Sequence, residues 1–416
     1  MANHGCYNNE NTGVYVIYVN DDLLLQKVHT DKNMIYFILN NYTPNTASTN
    51  RIIGYLEIFE KEKIPVTVFF VLPGLQENFI GKKYSNIQIK YMWKKYPHKS
   101  KICKVLIFFW SLFKIRKIIK SGDIVYTYGI NAIMKFLIGR KKVRYYAERT
   151  EHLDVTAKEP WPLGINKKKC IDICKKLDGV FVISSPLKNS FVSYGIESKK
   201  VHIINMTVDS DRFINIRKTE TKERYIAYCG TASNNKDGVD ELIKAFSIVA
   251  NTMKDIKLYI IGKIPTNEDK VNNIALIERL NLTERIVFTG IISSKKMPQL
   301  LKNAEVLALD RPNSLQAQCG FPTKLGEYLL TGNPVVVTKV GDIPLYLKDG
   351  ISALLSEDRN PEEFASKILW ALTHPKESAI IGENGKKVAL QNFNNKIETH
   401  KIISIFQSYK DSNCKL

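Results

Sequence analysis

Short apolar runs alternate with amphipathic segments along most of the chain. In the first half, compact apolar runs predict buried strands of a parallel sheet at residues 34–39, 65–71, 124–126, 143–146 and 179–183. Between them, segments such as residues 52–59 carry apolar side chains on one face (Ile52, Leu56 and Phe59) and predict helices. Strands that alternate with helices indicate a doubly wound sheet covered on both faces, with ligands at the carboxyl ends of its strands.

The same pattern starts again after a polar stretch near residues 215–224. The second series of predicted strands lies at 225–228, 257–261, 286–288, 306–309 and 334–338. We therefore predict an α/β protein with two doubly wound domains that face each other across a cleft. The predicted organisation is an N-terminal extension (1–30), an N-terminal domain (31–205), a linker (206–222), a C-terminal domain (223–395) and a final amphipathic helix within 396–416.

Composition places the chain among ordinary globular proteins. Its 416 residues are enough for two cores, and its hydrophobic fraction of 44% is usual. The seven cysteines are scattered, which favours reduced thiols in a cytosolic protein over a disulfide framework. Asp21 and Asp22 interrupt the first apolar stretch, and no run reaches the roughly 20 apolar residues of a membrane span. We expect a cytoplasmic protein.

Positive charge is concentrated in one part of the chain. The net charge is +20, and no acidic residue lies between Glu77 and Asp123. Lysines, arginines and aromatic residues alternate between Lys82 and Lys120, a composition typical of surfaces that bind nucleic acid or an anionic membrane. A solvated lysine-rich face around a buried helix is the alternative. Because no nucleic-acid module accompanies the charge, we predict no nucleic-acid partner and favour docking of Lys82–Lys120 on the inner face of a membrane.

The most specific motif lies at residues 320–337, where a loop enters a helix and a Gly-Asn-Pro turn leads into an apolar strand. The helix N-terminus near Phe321–Lys324 presents unpaired N–H groups, which suit a diphosphate. Glu327 follows about one turn later and can accept two hydrogen bonds from a ribose diol. A helix that is merely well capped is the alternative interpretation.

This segment resembles the donor-binding region of glycosyltransferase family 4, usually Glu-Gly-Phe-Gly-Leu-Pro-x-x-Glu, in a variant that reads Gly-Phe-Pro-Thr-Lys-Leu-x-Glu-Tyr. Further pieces resemble the family's junction motif, its first phosphate-facing loop and the strands that follow, at residues 208–213, 228–240, 287–290 and 304–307. The resemblance covers most of residues 180–380. It implies the GT-B fold, with two Rossmann-like domains and a last helix, here 396–416, that completes the N-terminal domain.

The resemblance also implies a function. Such an enzyme is a metal-independent, hexosyltransferase-type glycosyltransferase without a cofactor. It moves a sugar from a nucleotide diphosphate sugar to a glycan or lipid-linked glycan, with retention of anomeric configuration, in surface polysaccharide (O-antigen, capsule or exopolysaccharide) biosynthesis. Fixed cations and a helix N-terminus would stabilise charge on the departing phosphate. Asp209-Ser210-Asp211 has the Asp-x-Asp pattern of a metal site but lies within the junction motif, so we predict no metal there.

Candidate site residues follow from the matched motifs and from strand ends. The predicted catalytic residues are Lys236, Arg311, Lys324 and Glu327. The predicted donor-binding residues are Gly230, Thr231, Gly290, Gly320, Phe321, Pro322, Thr323 and Leu325. The predicted acceptor-side residues, which lie in the N-terminal domain, are Asn45, Thr46, Asn50, Glu148 and His152. For His152, a surface imidazole without a role is the alternative.

Two departures from the family pattern keep other functions open. Cys319 occupies the position of the usual first glutamate, where Gln316 or Gln318 is a candidate substitute, and Thr231 replaces a common arginine. These departures motivate a catalytically silent sugar-binding or scaffold subunit as the main alternative. A nucleotide-sugar epimerase would need its own acid–base residues, and a nucleic-acid binder accounts for the charge but for none of the motifs.

Overall fold

The computed structural model describes residues 14–19, 22–27, 33–41, 43, 46–73, 84–93, 100–140, 142–155, 164–263 and 268–408. Its strands are β1 (Val14–Val19), β2 (Asp22–Lys27), β3 (Ile35–Leu39), β4 (Val66–Phe70), β5 (Ile87–Tyr91), β6 (Ile124–Tyr128), β7 (Arg144–Arg149), β8 (Gly179–Val182), β9 (Val201–Ile203), β10 (Arg224–Cys229), β11 (Ile256–Ile261), β12 (Ile286–Gly290), β13 (Val306–Leu309), β14 (Val335–Thr338) and β15 (Leu354–Ser356).

Its helices are α1 (Ala47–Lys61), α2 (Lys101–Ile118), α3 (Ala132–Leu137), α4 (Lys167–Cys174), α5 (Ser185–Ser193), α6 (Asn234–Asp237), α7 (Val239–Thr252), α8 (Glu268–Arg279), α9 (Met297–Asn303), α10 (Leu315–Cys319), α11 (Thr323–Leu330), α12 (Ile343–Tyr346), α13 (Pro361–Thr373), α14 (Pro375–Asn392) and α15 (Asn395–Ser408).

The first domain is built on a parallel sheet with strand order β5-β4-β3-β6-β7-β8-β9. All five residues of β3 and of β4 are buried, because helices cover both faces of the sheet. Successive side chains of a strand point to opposite faces. Phe37 therefore packs towards α1 and α15, while its neighbour Ile38 packs towards α2, α3, α4 and α5. The strand order reverses between β3 and β6, where ligands bind in such sheets.

The second domain repeats this arrangement. Its sheet has the order β12-β11-β10-β13-β14-β15 with parallel pairing throughout, and the order reverses between β10 and β13. α7 buries Leu242, Ile243, Phe246 and Val249 against this sheet. The predicted fold class is confirmed: the chain is an α/β protein with two doubly wound, Rossmann-like domains.

Two chain segments connect the domains side by side. The backbone N–H of Val208 donates to the carbonyl of Phe393 (2.9 Å), next to an isolated bridge between Val208 and Asn394. Beyond this crossing, α15 packs on the first domain. The Phe406 ring lies 4.8 Å from the ring of Tyr146 (centroid to centroid) and 6.4 Å from that of Phe59.

Some strands have no counterpart in the sequence pattern. β1 and β2 form an antiparallel hairpin within the residues that we interpreted as an extension. β5, β9 and β15 lie at edges of the two large sheets and were not predicted. No described helix combines the length and the apolarity that crossing a membrane requires.

Candidate active site

The carboxyl edges of the two sheets approach each other and form a cleft. Ser184, just after β8, donates to the carbonyl oxygen of Cys319 at the end of α10. The backbone N–H of Ser185 donates to Oδ2 of Asp342 (2.6 Å). Gln316 of α10 reaches Glu151, which follows β7, with 3.4 Å between Nε2 and Oε1. Both predicted substrate regions therefore border the same interdomain space.

The side chain of Lys324 forms the centre of a buried polar cluster in the second domain. Its Nζ lies 2.5 Å from Oδ2 of Asp237 and 3.1 Å from the hydroxyl of Tyr228. The same hydroxyl lies 2.8 Å from Oδ2 of Asp237. Burial lowers the pKa of Lys324. For Asp237, burial alone would raise the pKa, but the nearby ammonium of Lys324 outweighs this effect and lowers it. Asp237 is therefore held as a carboxylate, while at Lys324 burial opposes the charge and the adjacent carboxylate supports it.

Arg311 adds a second cation to this cluster. The side chain is 3% exposed, and its Nε has no hydrogen-bond partner among the described residues. Burial lowers the pKa of Arg311, while Asp237 and Tyr228 oppose that shift. Arg311 and Lys324 thus bring two cations to one carboxylate, Asp237. The excess positive charge suits a ligand anion that can pair with the remaining guanidinium donors.

The loop after β10 is shaped around Lys324. A Cβ atom at Gly230 would lie 2.2 Å from Lys324 Nζ, so a glycine is needed for the ammonium to approach the backbone. The carbonyl of Thr231 lies 2.7 Å from the Tyr228 hydroxyl, while the Thr231 side chain is exposed. The structure does not bring Lys236 into the cluster: its side chain is exposed on α6, and the adjacent residue Asp237 points inward.

Glu327 lies one turn along α11 from Lys324. Arg212, from the predicted junction motif, donates from Nη1 to Oε1 of Glu327 (2.5 Å) and from Nη2 to the carbonyl of Ser294 (2.9 Å). The contact orients a carboxylate that is about one quarter exposed towards the cleft. Asp209 accepts a hydrogen bond from the backbone N–H of Asp211 (3.1 Å) and caps a short 3-10 turn.

The remaining predicted donor-binding residues shape the loops around the cluster. Pro322 begins α11 without a side-chain cap, which leaves the first N–H groups of this helix for another acceptor. Phe321 packs on the rings of Tyr346 and Phe393 (5.7 and 5.1 Å between centroids). Gly290 is the last residue of β12, and Gly320 follows α10. Thr323 is the first residue of α11, and Leu325 is fully buried in the same helix.

A cavity of about 320 Å³ lies on the first domain's side of the cleft, beside the reversal point of its sheet. It is lined by Ala47, Ser48, Tyr128, Gly129, Glu148, Arg149, Thr150 and Glu151. Thr46 caps α1 at its border and accepts from the N–H of Thr49 (3.2 Å). Asn50 is exposed on the first turn of α1, and Asn45 lies outside the described residues.

Glu148 borders this cavity, but its carboxylate is occupied by the protein itself. Oε1 accepts from Arg51 Nε and from the Tyr55 hydroxyl (3.2 Å), and Oε2 accepts from the Tyr126 hydroxyl. Burial opposes the charge on Arg51, and the adjacent Glu148 raises the pKa of Arg51 above its ordinary value. Arg51 also donates to the carbonyl oxygens of residues 204 and 205 (2.7 and 2.6 Å), at the start of the interdomain crossing. This network therefore ties α1 and β7 to the segment where the chain leaves the first domain.

His152 is buried rather than on the surface. Its Nδ1 accepts from the backbone N–H of Asp154 (3.2 Å), so its Nε2 carries the proton and donates to the Tyr194 hydroxyl (2.9 Å). Burial lowers the pKa of His152, which favours the neutral imidazole. His152 is thus hydrogen-bonded to Tyr194, the residue that follows α5.

Several residues of the site were missed in the sequence. Tyr228 and Asp237 complete the Lys324 cluster, Arg212 holds Glu327, and Arg51 pairs with Glu148. The only signal for Arg51 was a charged residue next to the apolar face of a predicted helix. Among the described residues, no group of three or more His, Cys, Asp or Glu side chains is arranged to hold a metal ion.

Known proteins of similar sequence or structure share this architecture. Residues 223–374, which include the Lys324 cluster and Glu327, match the family model described as glycosyl transferases group 1. This part of the chain is therefore a glycosyl transferases group 1 domain of the GT-B type. Among solved structures, the Anabaena protein HepE in complex with UDP superposes with a TM-score of 0.71 at 16% identity, covering 90% of this chain and 100% of that one.

The curated relatives are also distant in sequence, and each matches only part of the chain. The MMP alpha-(1->4)-mannosyltransferase of Mycolicibacterium hassiacum is 21% identical over 237 residues, which are 56% of this chain and 55% of the relative. The D-inositol 3-phosphate glycosyltransferase of Segniliparus rotundus is 22% identical over 201 residues, 46% of this chain and 43% of the relative. The chain thus spans about half the length of these relatives.

Proposed function

We propose that the protein is a family 4 glycosyltransferase that transfers a sugar from a nucleotide diphosphate sugar to a glycan or lipid-linked glycan. The observation that carries this proposal is the pair of cations beside Asp237, with Lys324 at the start of α11 and Arg311 after β13, and with Glu327 one turn beyond Lys324. All three lie within the residues that match the glycosyl transferases group 1 model. HepE, a structure of the same fold, was solved with UDP.

In this proposal, different residues have different roles in the transfer. Cleavage of the anomeric bond places negative charge on the leaving diphosphate. Lys324, Arg311 and the uncapped N–H groups of α11 are fixed before the reaction and would stabilise that charge without a metal ion or cofactor. Glu327, oriented by Arg212, would accept hydrogen bonds from the ribose hydroxyls. Retention of configuration, with a donor phosphate oxygen taking the acceptor proton, rests on the family 4 resemblance.

The acceptor would bind in the cavity between α1 and the ends of β6 and β7. Glu151 of the cavity lining is reached by Gln316 of the second domain, which supports this assignment. We place the enzyme in the cytoplasm, on the inner face of a membrane, in surface polysaccharide biosynthesis. The five cysteines among the described residues are free thiols, which agrees with this compartment. Of the basic stretch Lys82–Lys120, the residues Lys82, Lys83, Lys94, Lys95 and Lys99 lie outside the described residues.

The test is a panel of nucleotide sugars, with binding measured by calorimetry and turnover by release of the nucleotide, with and without EDTA. We expect Lys324→Ala to lower kcat about 10²–10³-fold, the usual cost of losing a group that stabilises transition-state charge. Glu327→Ala should weaken donor binding about 10–100-fold, since hydrogen bonds to a carboxylate contribute about 1.5–3 kcal/mol. The matched control is Lys270→Ala, an exposed lysine of α8.

The outcomes separate this proposal from its alternative. Saturable binding of one donor, with turnover lost in Lys324→Ala but not in Lys270→Ala and unaffected by EDTA, supports a metal-independent transferase. Binding without turnover, even with membrane extracts as acceptor, would favour a silent sugar-binding subunit, the candidate that Cys319 motivates. If no nucleotide sugar binds, both functions fail.

A further inference from the structure

Helix α2 carries large apolar side chains on the side that faces away from its sheet. They are Ile102 (73% exposed), Leu106 (65%), Phe109 (47%), Trp110 (45%) and Phe113 (50%). The spacing i, i+4, i+7, i+8 and i+11 places all five on one stripe of an α-helix. The opposite side of α2 packs on the sheet through Ile107, Phe108, Leu112 and Ile115. The helix is thus apolar on two faces, and the described part of its domain buries only one.

Lysines surround this exposed stripe. Lys114 Nζ lies 5.2 Å from the centroid of the Trp110 ring, and Lys117 Nζ lies 4.4 Å from that of Phe113. Lys101 and Lys104 lie in the first turn of α2, and the sequence has no acidic residue between Glu77 and Asp123. The occupant of the stripe is therefore anionic as well as apolar. A second copy of the chain would oppose lysine to lysine, which is unfavourable.

The stripe begins at the carboxyl edge of the first domain's sheet, the edge that also borders the cleft. In a parallel sheet, the helix after a strand starts at the carboxyl edge of that strand, and here this edge borders the cleft. β5 ends at Tyr91, and shortly after it the Trp93 ring packs on Trp110 (5.1 Å between centroids). A lipid surface on the stripe of α2 would therefore meet the first domain at the same sheet edge that borders the cavity beside Glu151.

We infer that α2 is an interfacial helix whose stripe (Ile102, Leu106, Phe109, Trp110 and Phe113) inserts into the headgroup region of an anionic bilayer. Aromatic and aliphatic side chains enter the headgroup–acyl boundary, while the surrounding lysines contact anionic headgroups. The acceptor class that this arrangement serves is a lipid-linked glycan, and this last step rests on the proposed function. The attachment itself does not.

Sedimentation with vesicles tests the attachment without any substrate. The probes are vesicles of phosphatidylcholine alone and of equal parts phosphatidylglycerol and phosphatidylcholine. We expect wild-type protein to pellet with the anionic vesicles, and the variant Leu106→Ser/Phe109→Ser/Phe113→Ser to partition at least about tenfold less, because partition follows the apolar area inserted. The control Val271→Ser/Ile274→Ser/Ile380→Ser removes exposed apolar side chains from α8 and α14 and should bind like wild type.

A second measurement reports insertion directly. Lipids brominated on the acyl chain should quench tryptophan fluorescence in wild-type protein, and Trp110→Phe should remove most of the quenching. Equal pelleting of the α2 variant and wild type, or quenching that persists in Trp110→Phe, would overturn the inference. Donor binding in solution is measured for every variant. Loss of vesicle binding with intact donor binding confines the defect to α2, whereas vesicle binding without donor binding defeats only the proposed function.

Discussion

The substitution Glu148→Gln tests whether the carboxylate beside the first domain's cavity stabilises the fold. Glu148 and Arg51 are 0% and 3% exposed, and the carboxylate accepts from Arg51, Tyr55 and Tyr126. Glutamine keeps the size of the side chain but removes its charge, which leaves the Arg51 guanidinium buried without a counter-ion. Breaking a buried ion pair from one side costs about 3–5 kcal/mol. That is a large fraction of the roughly 5–15 kcal/mol that stabilises a folded domain.

A double-mutant cycle isolates the interaction free energy of Arg51 and Glu148 from their contacts with other residues. Arg51→Met alone should destabilise by a similar amount, because it leaves the Glu148 carboxyl buried without its partner. In the double variant neither charge remains, so its loss should be smaller than the sum of the two single losses by at least about 1 kcal/mol. Glu151→Gln, a partly exposed carboxylate of the same cavity, is the matched control and should cost under about 1 kcal/mol.

Urea unfolding followed by tryptophan fluorescence measures these losses. In a Trp370→Phe background the signal from the second domain is removed, and Trp93 and Trp110 report on the first domain. The reasoning is refuted if Glu148→Gln unfolds at the wild-type urea midpoint. Lost turnover at unchanged stability would instead make Glu148 an acceptor-binding group, as its place in the sequence suggested.

Two further predictions concern the second domain. Burial, together with the acidic neighbours, raises the pKa of Asp310 from 3.8 to about 8. Between these two pH values the folded state binds a proton that the unfolded chain has lost. The free energy of unfolding therefore falls by at most about 1.4 kcal/mol per pH unit over that range. Asp310→Asn should flatten this dependence in urea titrations at pH 5 and pH 8, and a profile as steep as that of wild type would contradict it. Arg212→Met should weaken donor binding up to about tenfold, because it frees Glu327 at a partly exposed site. Calorimetry with an unchanged dissociation constant would reject that role.

The sequence was a good guide to the fold where strands are long and continuously apolar. β3 and β4 are five consecutive buried residues each, and apolar runs of this length between turn residues are typical of buried strands. β5 alternates buried and exposed residues inside the lysine-rich stretch, so its pattern resembles that of a solvated surface. β9 and β15 have three residues each, too few to show any period. Their pairing is decided by neighbouring strands rather than by local sequence.

The site was predictable only where a single local segment builds it. Lys324 and Glu327 lie on one helix and share one motif, and the structure places them together at the cleft. In the turn α6 the inward direction falls on Asp237 rather than on Lys236, because four residues of helix leave side-chain direction to the surrounding packing. The pair Arg51–Glu148 joins residues 97 positions apart. A single sequence carries no record of which distant charges meet.

The domain contact gives a physical reason for a cysteine at position 319. Cys319 is 3% exposed, its carbonyl accepts from Ser184, and its thiol lies against Ser190 of α5, where burial raises the thiol pKa. Asp342 already pairs with the N-terminus of α5 through the N–H of Ser185. A glutamate at 319 would bring a second carboxylate into this buried contact beside Asp342, at the cost of both desolvation and like-charge repulsion. In this chain the thiol therefore suits the packed interface between the domains. Under the proposed function, contacts to the donor sugar would then come from other groups along the cleft, and we propose Gln316, which spans the cleft to Glu151, as one of them.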